Sequence, residues 1–535
     1  MSLVAARQAR ETPDAVALAD ERRSITWAEL DENLNRAANA LLAIDLGTAR
    51  RVAVFAENSA ETVMAHMAGI LVGVSTVPIN SHLTPAEVSY ILKDSQASAL
   101  FVGPETAPAG LNAAAEANVP RVIGWRCPSG VPVTPWDEWL RKSHAGHPPS
   151  DMPPRPFLHY TSGTTGRPKG TETPPGMFFG GATVAEYFEK LKAGPTANSP
   201  GATVAERFEK LKGGPTAGSS KPVLVVSPLY HAGPLSSLRQ FGAGTPLVVL
   251  DRFDAERTLW AIDRYKVGST VMVPTHFQRL LALPEETRAR YDTSSLWMVA
   301  HTGSACPVEV KRKMIEWLGP ILFEAYGATE APGTNVITSQ EWLEHPGSDG
   351  KTVFPFELLV IGENGEHLGP DQVGQLYFRD TTGRGIIYHN DPDKTQAAHQ
   401  QPGIFTLGDM GYADKDGYVY VTDRSSDMVV SGGVNIYPAE TEQVLITHPE
   451  VADVAVIGVP NTEMGEELKA LIVLADPASP PDTEELDALC REHLAGYKCP
   501  RSYDFVADIR RTTMGKVNKR KLRAPYWPTE RTIGG

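Results

Sequence analysis

The sequence predicts an α/β protein with a large N-terminal domain of doubly wound sheets, a small β-barrel subdomain, and a smaller α+β C-terminal domain. Three observations predict it. Residues 1–155 alternate strand and helix patterns, the rhythm of a parallel sheet covered by helices. Val223-Leu224-Val225-Val226 is an apolar, β-branched run of the kind that forms a buried strand. Residues 350–422 shift to short strands separated by Gly, Asn and Asp turns, which suggests the barrel.

In order, Ser24–Trp27 reads as a strand, and Thr26 as the cap of a helix over 29–42. Arg51–Phe55 is a strand, followed by a helix over 59–71. Val63–Ile79 is apolar but broken by Gly69, Gly73 and Pro78. It is too short for a membrane span and reads as a buried helix passing into a strand. Thr84-Pro85-Ala86-Glu87 starts a helix: cap, proline in the first turn, acid near the N-terminal end. Further strands are read at 99–102, 245–250, 269–273, 296–300 and 321–325, with a helix over 254–265. The C-terminal part carries helices over 439–447 and 483–494 and strands over 454–458 and 470–474.

Gly181–Ala197 recurs at Gly201–Ala217, with changes only at Tyr187/Arg207 and Ala193/Gly213. Val184, Phe188 and Leu191 share one helical face, as do Val204, Phe208 and Leu211. Two copies are too few for a solenoid. The pair reads as a tandem duplication whose added helix lies on the surface.

A chain of 535 residues exceeds one ordinary core. Its 41% hydrophobic and 21% charged residues are those of a soluble globular protein. A net charge of -14 argues against nucleic acid as the main partner. Cys127, Cys306, Cys490 and Cys499 show neither metal-ligand spacing nor a disulfide framework, which fits a reducing cytoplasm. The N-terminus has no apolar core of a signal peptide.

The most informative stretch is Thr161-Ser162-Gly163-Thr164-Thr165-Gly166-Arg167-Pro168-Lys169-Gly170. It packs four Ser/Thr hydroxyls, three glycines and two cations into ten residues. Glycines let a backbone approach a ligand closely, and successive N–H groups form an anion-binding concavity. With Lys169 adding a cation, the ligand it suits is a polyphosphate. The spacing is not that of a Walker A loop, since Gly170 follows Lys169. The string resembles the phosphate-loop signature of adenylate-forming enzymes: acyl-CoA synthetases, peptide-synthetase adenylation domains and luciferases. Further motifs of that family follow in order, so the resemblance covers nearly the whole chain.

The resemblance implies roles residue by residue. Thr161, Ser162, Gly163, Thr164, Thr165, Gly166 and Lys169 would hold the β- and γ-phosphates of ATP. Gly303, Ser304 and Ala305 would lie against adenine and the acyl group. Tyr326-Gly327-Ala328-Thr329-Glu330 matches a second motif: Tyr326 stacks on adenine, Thr329 donates to the carboxylate or α-phosphate, and Glu330 binds Mg²⁺. Asp409 would take the ribose hydroxyls, although Leu407 departs from the usual Thr of that motif. Arg424 contacts the nucleotide. His231 stands at the acyl entrance, with His276 and Gly303 as further pocket candidates. Residues 1–422 would form the adenylating domain, with the barrel at 350–422. Residues 423–427 would be a hinge centred on Ser426, and 428–535 a mobile lid. Gly432 and Gly433 would line a coenzyme A channel, and Lys516 would reach the α-phosphate during adenylation.

The implied activity is an acyl-CoA synthetase: ATP and a carboxylate give an acyl-adenylate, and the coenzyme A thiol displaces AMP. Small residues around His231 suggest room for a medium- or long-chain fatty acid, ahead of aryl-propenoic and steroid acids. Alternatives are an amine or carrier-protein acceptor, or a non-catalytic nucleotide-binding protein. Against the last, Lys169, Glu330, Asp409 and Lys516 are all present. No membrane span is expected, and oligomeric state is not readable.

Overall fold

A computed structural model describes residues 4–161, 168–172, 181–193, 221–432, 434–513 and 515–527. The expectations for Ser162, Gly163, Thr164, Thr165, Gly166, Gly433 and the second repeat copy lie outside them. The architecture is α/β, with a large N-terminal part and a smaller C-terminal one. Among the described residues, no helix is long and apolar enough to cross a membrane.

The largest sheet has nine strands. Its centre is a parallel run: Leu322–Tyr326, Met298–His301, Ser269–Met272, Val223–Val225, Leu247–Val249 and Val16–Ala19. Antiparallel strands close both ends. A second sheet of five parallel strands runs Ser75–Ile79, Arg51–Phe55, Leu100–Val102, Val122–Gly124 and Thr134–Pro135. Such sheets are covered on both faces, and central strands such as Val223–Val225 are buried throughout.

Local chemistry sets the helix starts. Thr26 and Thr84 each close a capping box, with Glu29 and Glu87 respectively, and Pro85 occupies the first turn after Thr84. Ser59 and Asp254 cap the helices Ala60–Leu71 and Ala255–Tyr265. Every residue of Ala60–Leu71 is buried, so this run is a core helix between the sheets, leading to Ser75–Ile79.

Residues 350–422, expected as a small β-barrel, carry a five-stranded antiparallel sheet. Phe356–Ile361 pairs with Gly374–Asp380, which pairs with Ile404–Ala413. That long strand shares its other side between His399–Gln401 and Val419–Arg424, with register shifts at both junctions. Among the described residues the outer strands do not pair with each other, so the sheet curls without closing. The C-terminal part packs Pro438–Leu445 and Thr483–His493 against a five-stranded sheet around Val456, Leu468 and Ile472.

The first repeat copy forms the helix Val184–Ala193. Val184, Phe188 and Leu191 are buried as their spacing predicts, and Tyr187 joins them. Gly242 lies beneath: a Cβ added there would stand 3.1 Å from Leu191 and 3.2 Å from Phe188. One helix therefore fills this slot. Phe188→Ala is expected to cost about 3–5 kcal/mol, the usual loss for an emptied aromatic site. Deleting residues 201–220 is expected to leave the melting temperature nearly unchanged. Thermal unfolding of both variants checks the pair; a large loss on deletion would show that the second copy is also integrated.

Candidate active site

The parallel run delivers its loops to one edge, where α/β sheets bind ligands. After Met298–His301 come Gly303, Ser304 and Ala305, with Gly303 at φ 95°. His301 ends the strand and is fully buried. After Leu322–Tyr326 come Gly327, Ala328, Thr329 and Glu330. Gly327 has φ 153°, and a Cβ there would stand 2.5 Å from the Ala331 carbonyl oxygen, so only glycine fits. The turn is held by Ala328 N–H to Ala331 O (3.2 Å) and Ala331 N–H to Ala328 O (3.1 Å).

Asp409 and Arg424 sit directly opposite each other on paired strands. The Tyr326 hydroxyl donates to Asp409 Oδ2 at 2.5 Å, and Arg424 Nε stands 3.3 Å from Oδ1. Asp409 is only 5% exposed. Burial pushes its carboxyl above the usual range, against the pull of Arg424 and the Tyr326 hydroxyl. In return the carboxylate raises the Arg424 pKa. The Tyr326 hydroxyl is thus committed to Asp409, and its ring tilts against Phe378 at 6.2 Å. Each Asp409 oxygen already has one partner and can accept another.

Lys169 stands on the antiparallel pair Leu158–Thr161/Lys169–Glu172, opposite Thr161. Residues 387–389 add to this hairpin through Glu172 N–H to Ile387 O and His389 N–H to Gly170 O. Tyr388 is thereby placed between two predicted site residues. Its hydroxyl donates to Glu330 Oε1 at 3.2 Å, and its ring centre lies 5.6 Å from Lys169 Nζ. Sequence reasoning missed Tyr388; its only signal was the apolar Ile386-Ile387 run before it. Burial and Lys394 hold the Lys169 pKa low, while Glu330 and Asp391 oppose them.

The C-terminal part supplies the remaining wall. Arg511 grips Asp453 with two bonds of 2.7 Å and donates to the Gly515 carbonyl at 2.8 Å. This fixes the loop carrying Lys516. The Thr513 side-chain oxygen lies 3.2 Å from the Tyr230 hydroxyl and 3.3 Å from His231 Nε2, another contact the sequence did not reveal. Gly515, at φ 74°, passes so close that an added Cβ would lie 3.2 Å from both Ser304 Oγ and Thr275 Cγ2. Crowding and Arg424 pull the Lys516 pKa down, while Glu330 and Asp409 push it up. The structure therefore brings Lys516, Glu330, Asp409 and Arg424 within one electrostatic neighbourhood.

Other expectations fare differently. His276, expected in the substrate pocket, is buried with its ring stacked on Phe253 at 3.8 Å. The helix turn sends Thr275 toward Gly515 and His276 into the core. Gly432 has φ 58°, and Val434 and Met464 near it are exposed. Ser426 lies in an exposed turn, where its carbonyl accepts from Arg523 at 3.2 Å. His231 is held to a pKa of about 3 by burial, Lys516 and His159, so it is neutral at working pH. By NMR its ring is expected to show no titration between pH 5 and 8. A midpoint near the ordinary value of about 6.5 would show a solvated ring instead.

Comparisons with known proteins identify the family. The AMP-binding enzyme family matches residues 5–385, and the AMP-binding enzyme C-terminal domain matches residues 440–516. A feruloyl-CoA synthase from Amycolatopsis sp is 32% identical over 529 residues, 97% of this chain and 98% of its own. A long-chain-fatty-acid–CoA ligase from Bacillus subtilis (strain 168) is 28% identical over 548 residues, covering 95% of this chain and 91% of its own. Among solved structures, the o-succinylbenzoate CoA synthetase from Bacillus subtilis, in complex with its acyl-adenylate intermediate, superposes with a TM-score of 0.77. It is 28% identical and covers 98% of both chains. The chain belongs to the AMP-binding enzyme family and is an acid–thiol ligase.

Proposed function

We propose that this protein activates an aromatic carboxylic acid with ATP to an acyl-adenylate and transfers the acyl group to coenzyme A. The observation that carries the reading is the convergence of Lys516, Glu330, Asp409 and Arg424 on one mouth, with Lys169 on the adjoining hairpin. In this reading Asp409 and Arg424 take the ribose side of ATP and Lys169 the phosphate side. Tyr326, Gly327, Ala328 and Thr329, with Gly303, Ser304 and Ala305, form the wall between them.

ATP, Mg²⁺ and coenzyme A are the reactants and cation of this enzyme class. The donors suit Mg²⁺, which is usually held by one or two carboxylates together with phosphate oxygens. Glu330 would hold it, and the cation would neutralise phosphate charge. The substrate carboxylate is itself the nucleophile on the α-phosphorus, so this chain need supply no general base. Its side chains position the reactants and stabilise developing charge. Lys516 compensates charge on the α-phosphate. His231, neutral and beside Thr513, shapes the acyl entrance without carrying a charge.

The choice of acid rests on relatives. Ferulate and o-succinylbenzoate, named for two of them, are both aromatic. The fatty-acid ligase keeps a medium- or long-chain fatty acid as the second reading. Pyrophosphate release over ferulate, o-succinylbenzoate and palmitate, with and without coenzyme A, tests both. Turnover of palmitate alone would replace the first reading with the second.

We further propose that residues 428–535 turn about 423–427, near Ser426. The turn exchanges Lys516 for the Gly432–Gly433 hairpin, which would line the thiol channel. Lys516→Ala is expected to slow adenylation by roughly 10²–10³-fold. Given ready-made acyl-adenylate and coenzyme A, the same variant is expected to form thioester at near the wild-type rate. Equal slowing of both half-reactions would reject the exchange. The low Lys516 pKa also has a sign: the ammonium discharges at lower pH than a solvated lysine. Adenylation is therefore expected to fall on the alkaline side before about pH 10.4, the ordinary lysine value. Glu330→Gln is expected to raise the Mg²⁺ concentration needed for half-maximal adenylation; unchanged dependence would place the cation elsewhere.

A further inference from the structure

We propose that a buried ion pair behind the site, Lys311 with Glu324, is a positioning element for the adenosine side of the nucleotide. The inference rests on the adenylating role proposed above. Lys311 Nζ donates to Glu324 Oε2, and both residues are buried. His301 Nε2 stands 3.7 Å from the same oxygen, and neither of its ring nitrogens has a hydrogen-bond partner among the described residues. The Lys311 ammonium also lies 4.8 Å from the ring centre of buried Trp342. None of these groups belongs to the reacting set.

What matters is which elements they join. His301 ends the strand that delivers Gly303, Ser304 and Ala305. Glu324 pairs with His301 across the ladder and lies two residues before Tyr326 on its own strand. Alternate residues of a strand share a face, so Glu324 and Tyr326 point the same way. The Tyr326 hydroxyl in turn holds Asp409. Asp349 links a third element: its Oδ2 accepts from Val421 N–H at 2.9 Å, on the strand that ends at Arg424. The charges of Glu324 and Lys311 both act on Asp349. The pair therefore sits where the Gly303 loop, Tyr326 and the Asp409–Arg424 strands are braced from behind.

Stability alone is a weak reason for such a pair. Removing charges from water is costly, and apolar replacement of a buried pair is often neutral or stabilising. A pair that fixes the direction of Tyr326 has a use that apolar side chains would not supply.

The experiment uses the full chain with two variants, Lys311→Met/Glu324→Leu and Glu324→Gln. Each is titrated by calorimetry with ATP and with inorganic tripolyphosphate. Tripolyphosphate reports the Lys169 side, while ATP also reports the adenosine side. A folded variant is expected to bind ATP about tenfold more weakly, within the range of coupled neighbouring side chains. Its tripolyphosphate affinity should stay within about twofold, because phosphate contacts lie on a separate hairpin. Wild-type ATP affinity in either folded variant, or equal weakening for both ligands, would overturn the proposal. If the double variant does not fold, Glu324→Gln, which keeps the shape, decides alone. If the wild-type chain binds no ATP, the adenylating reading fails first and the inference with it.

Discussion

A carboxylate that is 5% exposed constrains the whole site. Asp409 is kept from water by the curled sheet, so its charge must be met by protein groups or lost to a proton. Tyr326 and Arg424 meet it from two different elements. Satisfying one acid therefore locks the end of a parallel strand in the large sheet to two strands of the small one. The Tyr326 loop, Asp409 and Arg424 are placed together by this contact. Lys516, arriving on the Arg511-braced loop of the C-terminal part, then enters a field already shaped by Asp409, Arg424 and Glu330.

The fold was largely legible because its signals are local. Thr26 and Thr84 announce their helices through chemistry that spans three residues. Buried parallel strands announce themselves as unbroken β-branched runs, as at Val223–Val225. The curled sheet was less legible. Whether strands over 350–422 close into a barrel depends on the pairing of their edges, and no local pattern encodes that. His276 shows the same limit on one helix turn. Its position just after a strand suggested the pocket, but the turn at Pro274 gives the cleft to Thr275 and the core to His276.

Candidate residues carried by contiguous motifs could be read from the sequence; their contacts with distant segments could not. Tyr388 reaches Glu330 because residues 387–389 extend the Lys169 hairpin, a pairing across more than 200 positions. Thr513 reaches His231 only because the C-terminal part docks there. Lys311 and Glu324 are ordinary charged residues in a helix and a strand pattern. Burial at the junction of those elements is what makes them unusual, and burial of that kind is a property of the assembled sheet.

The pose of the C-terminal part bears on the proposed two-step cycle. Gly515 passes so close to Ser304 and Thr275 that an added Cβ would stand 3.2 Å from each, and Thr513 engages both Tyr230 and His231. That loop therefore fills the cleft wall in front of the acyl entrance. By the Gly432 hairpin, Val434 and Met464 are exposed at 44% and 43%. Two groups of such different character, a lysine loop and an apolar hairpin, cannot occupy one wall together. In the proposed cycle Lys516 acts while charge develops on phosphate and not once AMP is the leaving group. In the proposed second pose the hairpin would line the passage for a thiol arm. On these grounds the arrangement suits the first half-reaction. Exposed apolar surface on the hairpin gives the second pose something to bury, and so a driving force for the turn.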